Sequence, residues 1–318
     1  MTGILCYGIP VDCMIGRISM FRMTEEHKGM LAATAAYIIF GFSYLFSKMA
    51  MNVAEPFILL LARFTTTFLV LNLLVLTGVC KIRLKGKNLL APILVGILQP
   101  CLYFVFENYG LAYTTTSFTG IVSSISPVFT IVLGALILKE IPNRKQWFFI
   151  LMSVFGVLMV SLGGSGGTNT VTGVLCLLTA YFIGSFYSLT IRSCSDRFSP
   201  FELTYVMFTV GFVFFAVLTF GTYRGETLPM LKEALTHGQF VLAAAYLGIG
   251  ASVLAYFLAN YALARLPVAR AAVFGNLSTV VSVAAGILLM GDPFTWVSAA
   301  AFILILCGIA GVNRFKSN

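Results

Sequence analysis

Gln99, Tyr103 and Glu107 recur at every fourth position, and so, later in the chain, do Ser252, Tyr256 and Asn260. A helix places such residues on one face. Both sets lie in stretches that are otherwise apolar. Their amides, phenols, hydroxyl and single carboxyl can hydrogen-bond a polar solute or pass a proton, but they do not make a nucleophile with its base. Tyr37, Gly41 and Tyr44 form another row, matched by Tyr181, Ser185 and Ser188. Thr119, Ser123, Ser126 and Thr130 form a further one, matched by Ala271, Gly275, Ser278 and Ser282. Rows of small residues also serve close helix packing. Larger polar side chains are costly at membrane depth without partners. The candidates for lining a solute cavity are therefore Tyr37, Gln99, Tyr103, Glu107, Asn108, Ser123, Tyr181, Tyr187, Tyr256, Asn260, Asn276 and Ser278.

Four further positions are structural or coupling candidates: Arg63, Pro127, Glu140 and Asp292. Of the eleven acidic residues only Glu107 shares a helical face with other embedded polar groups; the rest fall in termini, loops or helix ends. Glu107 either exchanges a coupling proton or pairs permanently with Arg63, whose alternative is to snorkel outward. Glu140 and Asp292 close apolar runs and are expected to organise a loop or cap the next helix.

Catalysis finds no foothold. Gly163 to Gly167 spells Gly-x-Ser-x-Gly, but a nucleophile elbow needs a preceding strand, a following helix and a histidine base. The only histidines, His27 and His237, lie outside the apolar runs. There is no Gly-x-x-x-x-Gly-Lys-[Ser/Thr] loop for a nucleotide phosphate. The seven cysteines form no Cys-x-x-Cys and are expected to pack. No catalytic residue, metal or cofactor is expected.

The elements that must carry these side chains follow from composition. With 59% hydrophobic and 10% charged residues, a soluble domain of 318 residues would lack a polar surface. The expected solvent is lipid. Ten continuous apolar runs, each near the length that crosses a bilayer as helix, lie at about 29–48, 56–77, 89–109, 115–138, 146–163, 171–192, 201–221, 239–263, 269–289 and 295–313. The runs do not alternate, which excludes strands. The expected fold is an all-α membrane protein with ten transmembrane helices. Sixteen of the twenty Lys and Arg then fall on one side and three on the other, with Arg63 inside a span. The positive-inside rule puts both termini in the cytoplasm. The basic residues are scattered over short loops, so the net charge of +9 reads as topology, with no nucleic-acid partner.

The chain also matches itself. Slid by 152 residues, Asn108-Tyr109-x-Leu111-Ala112 falls on Asn260-Tyr261-x-Leu263-Ala264, with Gly96 on Gly248, Ser126 on Ser278 and Gly156 on Gly308. Nearer the N-terminus the shift is 144: Gly29 on Gly173, Ala36-Tyr37 on Ala180-Tyr181 and Pro56-Phe57 on Pro200-Phe201. Eight residues are thus inserted around Tyr223 to Gln239. Self-similarity at a fixed shift marks a repeat. Five helices per copy is an odd number, so the second copy enters the membrane inverted. Inverted repeats place a solute site near the midplane at their interface. The expected organisation is an extension over 1–28, read as disordered and not as a signal peptide, a first repeat over 29–163 and a Gly/Ser linker over 164–170. A second repeat over 171–313 and a tail over 314–318 follow.

Ser126-Pro127-Val128 opens an apolar run ending Leu136-Ile-Leu-Lys-Glu140, followed by Gln146 and by Gly156-Val157. With Ala62-Arg63-Phe64 on the second run, this pattern resembles the drug/metabolite transporter superfamily, EamA-type exporters. Departures are Lys139 where a Gly usually precedes the Glu, Asp292 for Glu in the second copy, and Thr279 for the expected Pro. The resemblance implies a ten-helix secondary transporter of small metabolites or drugs, often amino acids. The chain therefore reads as a plasma-membrane transporter by alternating access, an exporter, with a small-molecule substrate, the lipid bilayer and a coupling proton as partners. A passive channel or facilitator is the alternative, and a membrane enzyme lacks its catalytic groups. The charge division makes a direct prediction: a reporter active only in the cytoplasm should work when fused after Lys87 or Asn318 and be silent when fused within 163–170. The reverse at either place removes the inverted arrangement.

Overall fold

The computed structural model describes residues 24–138, 143–162, 170–194, 197–266, 268–293 and 295–315. Glu140 and most of the N-terminal extension and Gly/Ser linker lie outside these residues. Among the described residues all regular structure is helical. The helices are α1 (Glu25–Met51), α2 (Pro56–Leu76), α3 (Leu90–Gly96), α4 (Tyr103–Ala112), α5 (Thr116–Ser123), α6 (Ser126–Leu138) and α7 (Arg144–Leu162). They continue with α8 (Val171–Cys194), α9 (Pro200–Tyr223), α10 (Thr227–Thr236), α11 (Gly238–Ala245), α12 (Tyr256–Arg265), α13 (Val268–Met290) and α14 (Trp296–Arg314). α10 lies within 223–239, the stretch over which the 144- and 152-residue shifts differ.

Local chemistry sets the ends. Thr24 accepts from His27 N at the start of α1, with Glu25 and Glu26 in the positive first turn. Pro56 and Pro200 open α2 and α9, where a missing N–H costs nothing. Ser199 and Glu202 form a capping box. Glu202 also accepts from Arg83 N at 2.9 Å and Lys87 Nζ at 2.7 Å, so it pins the basic 77–89 loop to α9.

Seven helical stretches among the described residues are long and apolar enough to cross a membrane: Glu25–Met51, Pro56–Leu76, Leu90–Ala112, Thr116–Gly134, Val171–Ile191, Pro200–Thr236 and Gly238–Arg265. Phe274–Met290 and Trp296–Gly308 are shorter apolar helices. The outward surface carries Leu69, Leu76, Leu136, Phe148, Leu288 and Trp296, all exposed, while Arg63, Gln99, Glu107 and Asn260 are buried. This inside-out distribution belongs to an integral membrane protein.

The two copies make matching contacts. A Cβ on Gly96 would lie 3.0 Å from Val210 and 3.1 Å from Met207 on α9; one on Gly248 would lie 2.8 Å from Thr66 and 3.1 Å from the Arg63 carbonyl on α2. Those partners are counterparts in the 144-residue shift. Gly29 likewise abuts Arg265 and Leu266, as Gly173 abuts Tyr113 and Thr114. Gly156 lies on the Ala301 carbonyl and Gly308 on that of Phe149. Each copy therefore packs on the other as the other packs on it: α1 against α12 and α13, α8 against α4 and α6, with α2 on α9 and α7 on α14.

Such approach leaves no room for a side chain. Gly41, where a Cβ would meet Val281 Cβ at 2.5 Å and the Ser278 carbonyl at 2.8 Å, contrasts with Gly134, which faces open space. Gly41→Ala should destabilise by about 1–3 kcal/mol through overpacking. Gly134→Ala should be neutral or stabilising by up to about 1 kcal/mol through helix propensity. Thermal melting in detergent measures both.

Candidate functional site: a polar cavity at the seam of the two copies

The Leu90–Ala112 stretch is not one regular helix. Pro100 lacks an N–H and cannot continue the ladder, and Gln99 takes the non-helical φ −142°, ψ 115° within a widened turn over Ile97–Leu102. The same widening occurs over Tyr246–Ala255 in the second copy. Such π-type segments occur often at functional sites. Here the first break turns the Gln99 amide to donate to Tyr256 Oη, and the second brings Ser252 Oγ to accept from Arg63 Nε at 2.9 Å.

Between these breaks lies a cavity of about 160 Å³. Tyr37, Phe40, Ser43 and Tyr44 of α1 line it, with Arg63 of α2 and the row Gln99, Tyr103, Phe104 and Glu107. Ser123, Ser126, Pro127 and Thr130 form another part of the wall, and Tyr181, Ser185, Tyr187, Tyr256, Ala259 and Ser278 belong to the second copy. Nine of the twelve cavity candidates thus border one space: Tyr37, Gln99, Tyr103, Glu107, Ser123, Tyr181, Tyr187, Tyr256 and Ser278. Tyr103 Oη donates to Glu107 Oε1 at 2.6 Å, and Tyr181 Oη donates to the Thr119 carbonyl at 3.2 Å. Tyr256 makes edge contacts with Phe40 at 4.9 Å and Phe208 at 5.1 Å between centroids, an arrangement that fixes its ring.

The other three candidates stand off the cavity. Asn260 accepts from Tyr187 Oη at 2.8 Å and donates to Thr204 at 2.9 Å, so it holds a wall residue from behind. Asn108 donates to the Phe104 carbonyl at 3.0 Å, while its Oδ1, like that of Asn276, has no hydrogen-bond partner among the described residues. Asp292 accepts from Ser117 N at 2.7 Å at the start of α5, a cap across the copies. Pro127 borders the cavity, and Glu140 falls outside the described residues.

Arg63 does not snorkel, and it interacts with Glu107 across the cavity without a contact ion pair. Its side chain is 2% exposed, its guanidinium lies 4.1 Å from the Phe104 ring centroid, and no carboxylate lies within 4.0 Å of it among the described residues. The polar spacing missed Phe40, Phe104 and Ala259, because apolar wall residues look like any other in an apolar helix. Phe104 carried one signal, since Tyr256 is its counterpart in the second copy.

A larger cavity of about 550 Å³, lined by Lys48, Glu55, Tyr109, Tyr113, Met230 and Glu233, lies at the ends of α1 and α4. Lys48 Nζ donates to the carbonyls of Leu111 at 2.8 Å and Thr114 at 2.7 Å, so it ties α1 to the orphan acceptors ending α4. No group of three or more His, Cys, Asp or Glu that could hold a metal occurs among the described residues.

A helical bundle with an apolar outer surface and polar groups gathered on an internal cavity is an integral membrane protein with room for a polar molecule inside it. The EamA-like transporter family profile matches residues 27–162 and again 171–314, and the chain belongs to that family. It is 33% identical over 297 residues to the "Uncharacterized transporter YcxC" of Bacillus subtilis, covering 91% of this chain and 94% of that one. An "Uncharacterized transporter" of Archaeoglobus fulgidus is 24% identical, with 90% and 98% covered. A "Probable terminal-alkyne amino-acid exporter" of Streptantibioticus cattleyicolor is 23% identical, with 73% and 75% covered. A crystal structure at 20% identity aligns over 91% of this chain and 98% of its own with a TM-score of 0.67, a likeness of fold alone.

The cavity makes its own prediction. Tyr103→Cys and Tyr256→Cys, each in a cysteine-free background, should react with small water-soluble thiol reagents. A transported solute should slow that reaction several-fold. Inert thiols in protein that still transports assign these faces to packing.

Proposed function

We propose that the protein is a secondary active exporter of small organic metabolites or drugs, with amino-acid-like solutes favoured, working by alternating access in a plasma membrane of bacterial type. In this reading ten helices cross the bilayer as two inverted five-helix repeats, with both termini cytoplasmic. The observation that carries it is the cavity at the seam, whose wall pairs Tyr37 with its counterpart Tyr181 and Ser126 with its counterpart Ser278. A site built from both copies is the one place where rocking one against the other changes access. The name of the Streptantibioticus relative supports an amino-acid-like solute, and the one-sided distribution of Lys and Arg supports the orientation.

Glu107 is the proposed proton carrier. It is buried, borders the cavity and holds one hydrogen bond from Tyr103. Purified protein in proteoliposomes should accumulate amino acids or nucleosides when a pH gradient is imposed, and preloaded vesicles should accelerate entry of labelled solute. Flux without trans-stimulation would instead indicate a passive facilitator. Glu107→Gln should lower gradient-driven uptake at least tenfold, which is about 1.4 kcal/mol of lost coupling, while leaving solute exchange intact. A variant that keeps full gradient-driven transport ends the proton role of Glu107.

A further inference from the structure

The geometry points to Arg63 as the residue that receives a carboxylate of the transported solute, which makes the substrate class carboxylate-bearing and not purely cationic. This rests on the transporter reading above and names the chemistry its cavity selects.

Arg63 is one of the largest fully buried side chains in the protein, and it borders the cavity. Its Nε is committed to Ser252 Oγ at 2.9 Å, and its plane is held beside Phe104, with Cζ 4.1 Å from the ring centroid. Nη1 and Nη2 have no hydrogen-bond partner among the described residues. A buried guanidinium whose nearby acid, Glu107, acts on it only across the cavity and without contact is among the most expensive groups a membrane interior can hold. Helix packing does not require one here, since the counterpart of Arg63 in the second copy is Met207, whose backbone meets Gly96 as that of Arg63 meets Gly248. Glu107 shares the cavity but makes no ion pair with Arg63, and its own hydrogen bond comes from Tyr103. Both charges of the cavity thus belong to the first copy, with Met207 and Ala259 at the matching positions of the second.

A fixed guanidinium with its terminal N–H groups free presents the planar fork that matches a carboxylate. Ser252 and Phe104 settle the fork's orientation before the solute arrives, which lowers the cost of binding. The tyrosines and phenylalanines around it offer apolar faces to the remainder of the solute.

The test uses matched pairs that differ in carboxylate against carboxamide: L-phenylalanine and L-phenylalaninamide, L-leucine and L-leucinamide, 3-phenylpropionate and 3-phenylpropionamide. Binding to the full-length protein in detergent is read as a rise in Tm, followed with a thiol-reactive dye that reports exposure of the buried free Cys101 and Cys194 on unfolding. At least one acid should raise Tm, and its amide should bind tenfold or more weakly. Arg63→Gln should erase that ratio and Arg63→Lys should keep part of it. If Arg63→Gln does not fold, Ser252→Ala, which frees Nε while leaving the charge, should still reduce the acid-to-amide ratio severalfold. Equal binding of acid and amide, an unchanged ratio in these variants, or no stabilisation by any acid overturns the assignment. Counterflow on the same protein separates the two readings. Transport of amides or amines alone keeps the transporter and removes the carboxylate site; binding of acids without flux does the reverse.

Discussion

A polar side chain surrounded by lipid has no water to fall back on, so its hydrogen bonds must come from the protein. Short hydroxyls solve this within their own helix. Thr34, Thr67, Ser185 and Thr190 each donate to the carbonyl one turn back. Some amides do the same, as Asn108 does with the Phe104 carbonyl, but most longer groups reach further. Gln99, Glu107, Tyr187, Asn260 and Arg63 need partners on other turns or other helices, and Gln99–Tyr256, Tyr187–Asn260 and Arg63–Ser252 are those partnerships. Their convergence on one seam gives a polar interior, and the cavity is the part of that interior the protein leaves unfilled.

The seam exists because two copies approach closely at glycines. Gly96 on Met207 and Gly248 on Arg63, or Gly156 on Ala301 and Gly308 on Phe149, are the same contact made twice. Matching packing on the two copies is what the proposed alternating access would draw on. Chemistry then departs from the symmetry. The breaks in the two long helices share a register, yet only the first contains a proline and only the first copy supplies the Arg and Glu that border the cavity. The scaffold is duplicated, but the charge that borders the cavity lies in one half.

The all-helical membrane character was legible where lipid writes it plainly, in unbroken apolar runs, two of which open at Pro56 and Pro200. Extra residues near Tyr223 to Gln239 were legible as an insertion, though not as the helix α10, because an amphipathic ten-residue stretch with Pro229 inside gives a weak signal. The rows Gln99–Tyr103–Glu107 and Ser252–Tyr256–Asn260 were found by assuming a continuous helix. The real path breaks at Gln99, a departure that Pro100 announced and the four-residue spacing ignored. Position one shell back was not legible at all. Asn260 has the same spacing as Tyr256, and only the packing of α9 puts Thr204 within reach of its amide. Arg63 and Glu107 were legible as charges that attract, and they do interact, but Ser252 and the Phe104 ring hold the guanidinium short of a contact ion pair.

The proposed alternating access requires the two copies to exchange closed contacts around one cavity. Double electron–electron resonance measures it through two spin-labelled pairs that are counterparts in the repeat, His27 with Ala264 at one end and Val171 with Ala112 at the other. On adding a transported solute or changing the pH gradient, one distance should lengthen as the other shortens. Two distances that stay fixed, or that change in the same direction, contradict the account.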